Sequence, residues 1–256
     1  ANFTSLTTLS LSENQISSIS PLASLTSLTG LSLMNNQLTD LSSLASLTRL
    51  TALSLGTNQI SDISPLANLT NLTTLSLEQN QISDISPLAK STNLTTLWLE
   101  ENRISNISPL ANLTSLTELG LRMNQISDIS VLSNFGKLKR LTLDHNRITN
   151  INALSNLTDL RVIWLDNNNI TDVSPLSGLT RIGEAEHDWW LDQREGISIC
   201  LGLGNNQIAD IEALAGNGGL SQGDGIDLRG NPLSSDSVNT YLPQLKGRGV
   251  NVLYQA

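Results

Sequence analysis

"NQISDISPLANLTNLTTLSLEQN", residues 58–80, opens and closes on an asparagine, and the 22-residue step between the two is repeated along most of the chain. Asn14, Asn36, Asn58, Asn80, Asn102, Asn124, Asn146 and Asn168 all fall on that period. Each closes a phrase such as LTTLSLEQN (72–80) and adjoins one such as QISDISPLANLT (59–70), so a unit reads L-x-x-L-x-L-x-x-N-x-I-x-x-I-x-P-L-x-x-L. Chance does not hold eight asparagines in register, and a fixed period of this length marks a stacked repeat architecture. Within a unit, Leu75 and Leu77 alternate with Ser76 and Glu78, the period of a strand with one buried face. Ser64 and Pro65 put a capping hydroxyl before a residue of fixed φ, which suits the first turn of a short helical or 3₁₀ segment. One unit cannot bury its Leu, Ile and Asn alone. Neighbours must stack, each leucine column packing on the next and each Asn satisfying backbone groups in the bend.

The fold class expected is therefore α/β: a curved leucine-rich repeat solenoid with one short parallel strand per repeat and 3₁₀ or short helical turns on its convex side. Two later units break the period. Asn206 closes SICLGLGNN (198–206) and Asn231 closes GIDLRGN (225–231), 38 and 25 residues after their predecessors, which brings the count to about ten repeats. The first excess is EAEHDWWLDQREG (184–196); the second is the Gly-rich GNGGLSQGDG (216–225), whose glycines read as turns. The solenoid is expected over 1–233, with an insertion at about 183–197, and a C-terminal cap over 234–256, built from an Asp236-capped helix ending at Gly247 and a final strand.

The phrase NQISDISPLANLT (58–70) resembles the bacterial internalin-type leucine-rich repeat, and the likeness runs almost continuously from residue 1 to about 180. The resemblance implies a bacterial surface or secreted protein that engages a host or neighbouring-cell protein. Internalins carry a helical cap before the first repeat, whereas here Leu6 already belongs to one. The opening ANFTSL has neither an initiator Met nor a signal-peptide pattern and reads as an excised or processed segment.

Composition narrows the function. Fourteen basic against 23 acidic side chains, net −9, disfavour a phosphate-binding surface, so nucleic acid is not expected as a partner. A single cysteine, Cys200, excludes an internal disulfide framework, and no apolar run reaches the ~20 residues of a membrane span. With only His145, His187 and Cys200 as candidate catalytic groups, no phosphate loop and no metal-ligand spacing, no enzyme, metal or cofactor is expected. The aspartates of the outer phrase, Asp62, Asp84, Asp128, Asp172 and Asp210, read as caps at helix entry rather than as a cation ladder.

A ligand is expected on the concave strand face, formed by the residues six, four, two and one before each Asn. The first repeats are bland there, from Thr8, Ser10 and Ser12 to Ala52, Ser54 and Gly56. From the fourth onward the chemistry changes, and the candidate contacts are Trp98, Glu100, Glu101, Arg122, Met123, Arg140, Asp144, His145, Trp164 and Asp166, joined by Trp189 and Trp190 from the insertion. Trp98 and Trp164 share a column otherwise made of Ser, Thr or Gly, roughly 14 Å apart at the spacing of paired strands. The insertion is either a plug on the solenoid flank or a flap beside this patch. The reading is a monomeric, non-catalytic module that binds a protein through aromatic anchors and a charged rim, outside the cell or on its surface. The alternatives are glycan recognition through Trp98, Trp164, Trp189 and Trp190, and an intracellular scaffold resembling phosphatase-regulating repeat proteins.

Overall fold

The computed structural model describes residues 4–184 and 191–255 and divides into two compact units, Ala1–Gln125 and Ile126–Ala256. The first unit holds β1 (Thr8–Ser10), β2 (Gly30–Ser32), β3 (Ala52–Ser54), β4 (Thr74–Ser76), β5 (Thr96–Trp98) and β6 (Glu118–Gly120). Neighbours pair in parallel at a constant step of one repeat, Leu31 on Leu53, Leu53 on Leu75, Leu75 on Leu97 and Leu97 on Leu119. These leucines point to one side and are buried, so each strand contributes one core column and leaves its flanking residues on the opposite, open face.

The return path of each repeat is a 3₁₀ segment such as Ser64–Leu66, with Pro65 in its first turn. Of the two groups the sequence offers as caps at its entry, the aspartate serves and the serine hydroxyl does not. The hydroxyl of Ser64 does not cap; it donates to Asp62 Oδ2 at 3.0 Å, while Asp62 Oδ1 accepts the Ser64 N–H at 2.8 Å. Asp84, Asp128, Asp172 and Asp210 accept the N–H two residues on in the same way, the short-range turn that an Asp side chain forms more readily than a serine.

The repeating asparagines join one repeat to the next. Asn102 Oδ1 accepts the Ile82 N–H at 2.9 Å, and its Nδ2 donates to the carbonyls of Leu77, Leu99 and Glu100. The same pattern recurs at Asn36, Asn58, Asn80 and Asn168, so an amide that both donates and accepts is required at every bend. The residue just before the Asn is left-handed in every one of these bends, from Glu13 (φ 59°) through Glu101 (φ 55°) and Met123 (φ 52°) to Asn205 (φ 52°).

The second unit continues the plan with β7 (Arg140–Thr142), β8 (Val162–Trp164), β9 (Asp192–Arg194), β10 (Ile197–Gly202), β11 (Gly225–Asp227) and β12 (Asn251–Leu253). β7, β8, β10, β11 and β12 are parallel neighbours in that order. β9 alone is antiparallel, paired on β10 through a two-residue turn in which Glu195 (φ 52°) and Gly196 (φ 78°) are both left-handed, as a tight right-twisted hairpin requires. The end of the insertion is thus a β-hairpin that runs directly into the next repeat strand.

The C-terminal helical run is capped by Ser234, not Asp236: Ser234 Oγ accepts the Ser237 N–H at 3.2 Å, and Asp236 already has helical φ and ψ. A π turn over Ser237–Tyr241 precedes α2 (Leu242–Gly247; α1 is Glu212–Gly216), and Pro243, which has no N–H to offer the preceding turn, sits in the first turn of α2. The helix ends at Gly247, as expected, and the left-handed residue that stops it lies two positions on, at Gly249 (φ 82°). The Gly249 N–H reaches Lys246 O and the Val250 N–H reaches Leu245 O, the paired bonds of a left-handed glycine stop. β12 then pairs with β11, as a closing strand should.

Candidate functional site

The open strand face of the first unit changes character along its length. Its start is a shallow hollow of about 310 Å³ lined by Thr8, Ser10, Gly30, Ser32, Ala52 and Ser54, with hydroxyls but no charge. The fourth repeat introduces Glu78, whose carboxylate lies over Gly56 and accepts from Ser76 Oγ at 2.6 Å. In the fifth, the half-buried Trp98 ring and the Glu100 carboxylate both rest on Gly120, where a Cβ would collide with each of them. Glycine is required at that point by close approach rather than by a turn. Glu101 stands beside them in its left-handed position and accepts from Gln79 Nε2 at 3.2 Å, Gln79 itself accepting from Thr57 Oγ1 at 2.7 Å. Arg122 is exposed, and Met123 keeps 41% of its surface in solvent.

In the second unit the candidate residues are more deeply engaged. Arg140 is 9% exposed, and its guanidinium carbon lies 5.0 Å from the centroid of the Trp164 ring, a cation–π distance. The Trp164 Nε1–H donates to the Ile199 carbonyl of β10 at 3.2 Å, so this indole seats the hairpin strand. Asp144 is buried, and His145 Nε2 lies 3.2 Å from Asn167 Nδ2, within a polar row that continues from Asn167 Oδ1 to Asn205 Nδ2 at 3.1 Å. Asp166 is 4% exposed.

What occupies Asp166 is Arg194, at the end of β9. Arg194 Nη1 and Nη2 meet Asp166 Oδ1 and Oδ2 at 2.7 and 3.0 Å, Nη1 also reaches Asp227 Oδ2 at 2.8 Å, and Nε reaches Asp192 at 2.8 Å. The Gly204 N–H adds a 2.8 Å bond to Asp166. Arg229 closes the group by binding Asp227 and Glu195. Burial pushes the Asp227 carboxyl up, but the hydrogen bonds from Arg229 and Arg194 outweigh it and hold the group below the usual carboxylate range. Gly202 and Gly204 supply the floor, since side chains there would collide with Asp166.

The sequence reading did not include Arg194, Asp192, Asp227 or Arg229. The available signal is Gly202 and Gly204 together in one repeat, flanked in sequence by Arg194 and Arg229. His187, Trp189 and Trp190 lie outside the described residues. Among the described residues no three His, Cys, Asp or Glu side chains come close enough to hold a metal ion, Asp144, His145 and Asp166 included. Cys200 is buried and donates to the Gly225 carbonyl at 3.2 Å; burial pushes its thiol up to about 12, so it packs as a neutral group rather than serving as a nucleophile.

The family model described as Leucine Rich repeats (2 copies) matches residues 4–46, 26–68, 48–90, 92–134 and 137–178. Among solved structures, the chain is similar to an internalin (inlF) from Listeria monocytogenes at 34% identity and a TM-score of 0.82, covering 99% of this chain and 76% of that one. An internalin C2 from the same species is 42% identical over 68% of this chain and 77% of its own, with a TM-score of 0.66. A leucine-rich repeat protein of Leptospira interrogans shares the fold at 22% identity and a TM-score of 0.66, with 98% and 72% of the two chains covered. No curated protein matches the chain.

Proposed function

This chain belongs to the internalin-type leucine-rich repeat proteins, and from that membership we propose that it is a non-catalytic module which binds a protein partner through its open strand face, as a bacterial surface or secreted protein. The observation that carries the reading is where the scaffold leaves large apolar side chains in water. From Leu28 to Ile182 every leucine and isoleucine is buried, and among the described residues the two large hydrophobic side chains left exposed, Met34 and Met123, both stand on the strand face of the first unit. The half-buried Trp98 lies on the same face. Exposed apolar groups cost solvation unless something covers them, and Trp, Met and Arg are enriched where partners bind.

Trp98, Glu100, Glu101, Arg122 and Met123 form the contact set of the first unit. In the second, the set is Arg140, Asp144, His145, Trp164 and Asp166, of which Trp164 and Asp166 bond to the hairpin. No helix among the described residues is long and apolar enough to cross a membrane.

The test is capture from surface-protein extracts by the wild type and by a Trp98→Ala, Met123→Ala variant, with unfolding curves for both. A partner retained by the wild type and weakened by at least about 2 kcal/mol in an equally stable variant supports the reading. Equal retention by the two proteins overturns it.

A further inference from the structure

Glycine recurs on the strand face of the first unit, and one of these glycines has no reason within the fold. Gly56 and Gly120 are needed, because a Cβ would collide with the Glu78 carboxylate at the first and with Trp98 and Glu100 at the second. Gly30, which opens β2, is different. Its φ is not left-handed, and a Cβ there would meet only Thr8, whose methyl lies at 3.4 Å, an ordinary contact. Glycine in a strand gives up stability through its backbone freedom and its missing side chain. Ala52, paired with Gly30 on β3, is also a poor strand former, in a column that otherwise holds Thr8, Thr74, Thr96 and Glu118. Two successive repeats thus give up strand stability at one place, and the product is the hollow of about 310 Å³ across β1, β2 and β3. A strand glycine that neither a turn nor a close approach within the chain requires marks a place where the atoms of another molecule come down on the backbone.

We propose that this hollow receives an aromatic side chain with a polar edge, tyrosine or tryptophan, from a protein partner. This deepens the protein-binding function proposed above and rests on it. The shape calls for a flat group, since the floor is the Gly30 backbone and the Ala52 methyl, open across strands about 4.8 Å apart. Charge excludes ionic side chains. No charged group lines the hollow, and an ion covered there would lose its water without gaining a counter-charge. The hydroxyls of Ser10, Ser32 and Ser54 select among the uncharged side chains. A purely apolar occupant would cover them and return no hydrogen bond, whereas a phenol O–H or an indole N–H returns one. Met34 follows Ser32 on the same face of the chain and is 36% exposed, and a thioether is a favourable neighbour for the edge of a ring.

The experiment selects ligands from a displayed library of random short peptides on the immobilised wild type and titrates them against three variants, with urea unfolding curves for each. The double change Gly30→Thr, Ala52→Thr restores the usual residue of the column and fills the hollow; Met34→Ala removes the thioether; Thr96→Ala alters the same column two repeats beyond Ala52. The expected result is enrichment of peptides bearing Tyr or Trp. Their affinity falls about tenfold or more on the filled variant, falls less on Met34→Ala, is kept on Thr96→Ala, and drops when the ring is replaced by leucine. The filled variant unfolds at the same urea concentration as the wild type or a higher one, so that lost binding cannot come from lost folding. Selected peptides that bind the filled variant as well as the wild type would overturn the hollow and leave protein binding standing. Peptides without an aromatic residue that still need the hollow would overturn the occupant. A filled variant less stable than the wild type would show that the fold itself needs the small residues, and the inference would fall with its premise. No enrichment also overturns it, and the capture experiment then decides separately whether the face binds protein at all.

Discussion

Arg194 holds Asp166 in a two-pronged grip, Nη1 to Oδ1 at 2.7 Å and Nη2 to Oδ2 at 3.0 Å, across 28 residues of sequence. The same guanidinium reaches Asp227 at 2.8 Å, so one cation from the hairpin neutralises two carboxylates that are almost fully buried. Removing it strands Asp166 and leaves Asp227 to Arg229 alone. Arg194→Met is expected to destabilise the second unit by about 3–5 kcal/mol, the cost of leaving buried charge unpaired, seen as a lower midpoint in urea unfolding followed by tryptophan fluorescence. The triple change Arg194→Met, Asp166→Asn, Asp227→Asn should recover much of that loss. A stable single variant would mean that the carboxylates find water when the arginine leaves.

A second prediction concerns acid. The Ser64 backbone N–H first, and its hydroxyl second, hold the Asp62 carboxyl below its ordinary value of 3.8, and Ser130 does the same for Asp128. Because the folded value lies below the unfolded one, the contribution is complete above the unfolded value and is lost as pH falls through the folded value. Asp227 acts in the same direction, whereas Asp224, raised by burial, acts in the opposite one. Stability should therefore decline below about pH 4, measured as urea midpoints from about pH 6 down to about pH 2.5. Asp62→Asn should flatten that decline, since Asn106 and Asn150 already perform the same turn without charge, their Oδ1 atoms accepting from Ser108 and Asn152 at 2.9 and 2.8 Å. An unchanged acid limb in the variant would count against the turn as its source.

These two predictions divide along what the sequence discloses. The strand register and the bridging asparagines are legible because stacking demands the same residue at the same step in every repeat, as at Asn80 and Asn102. The outer aspartates are legible as caps because their bond to the residue two positions on is local. Arg194 is not legible: its partners are 28 and 33 residues away, and the insertion that carries it removes the periodicity that identifies every other contact. The left-handed position before each asparagine is hidden for another reason. Glu13, Thr57, Gln79, Met123 and His145 all occupy it, and the stacked backbone imposes a conformation their own preferences do not. The final cap is not legible either, because Ser234 and Asp236 are equally good capping residues and only the tertiary path decides between them.

Ser91 is a defect that substitution should repair. It stands in a column held by Leu25, Leu47, Leu69, Leu113, Leu157 and Leu179, with Phe135 as the other exception, and it is fully buried with no hydrogen-bond partner for its hydroxyl. A buried hydroxyl without a partner pays desolvation and gains nothing in return, so Ser91→Ala is expected to raise stability by about 1 kcal/mol in chemical denaturation. Ser91→Leu tests the space around it. A further gain would show that the column can be refilled, and a loss would show that the neighbouring repeats have closed over the smaller side chain. If Ser91→Ala destabilises the protein, the hydroxyl is satisfied and the reasoning fails.

The last prediction separates donation from acceptance at the repeat asparagine. Asn102 accepts one N–H, from Ile82 at 2.9 Å, and donates to three carbonyls, of Leu77, Leu99 and Glu100, at 3.0 to 3.2 Å. Asn102→Ala leaves one donor and three acceptors of the backbone without that amide and should cost about 2–4 kcal/mol. Asn102→Asp keeps the shape and the single acceptor but replaces the donating amide with a second oxygen facing three carbonyl oxygens. Simple loss of contacts would make aspartate the milder change, because it retains the bond to Ile82. Repulsion among oxygens makes it the harsher one near neutral pH, and relieves it in acid, where a protonated carboxyl regains one donor. Urea unfolding of the two variants at neutral and acidic pH decides the order, and an Asp variant that is more stable than the Ala variant at neutral pH would overturn the argument that donation is what the bend requires.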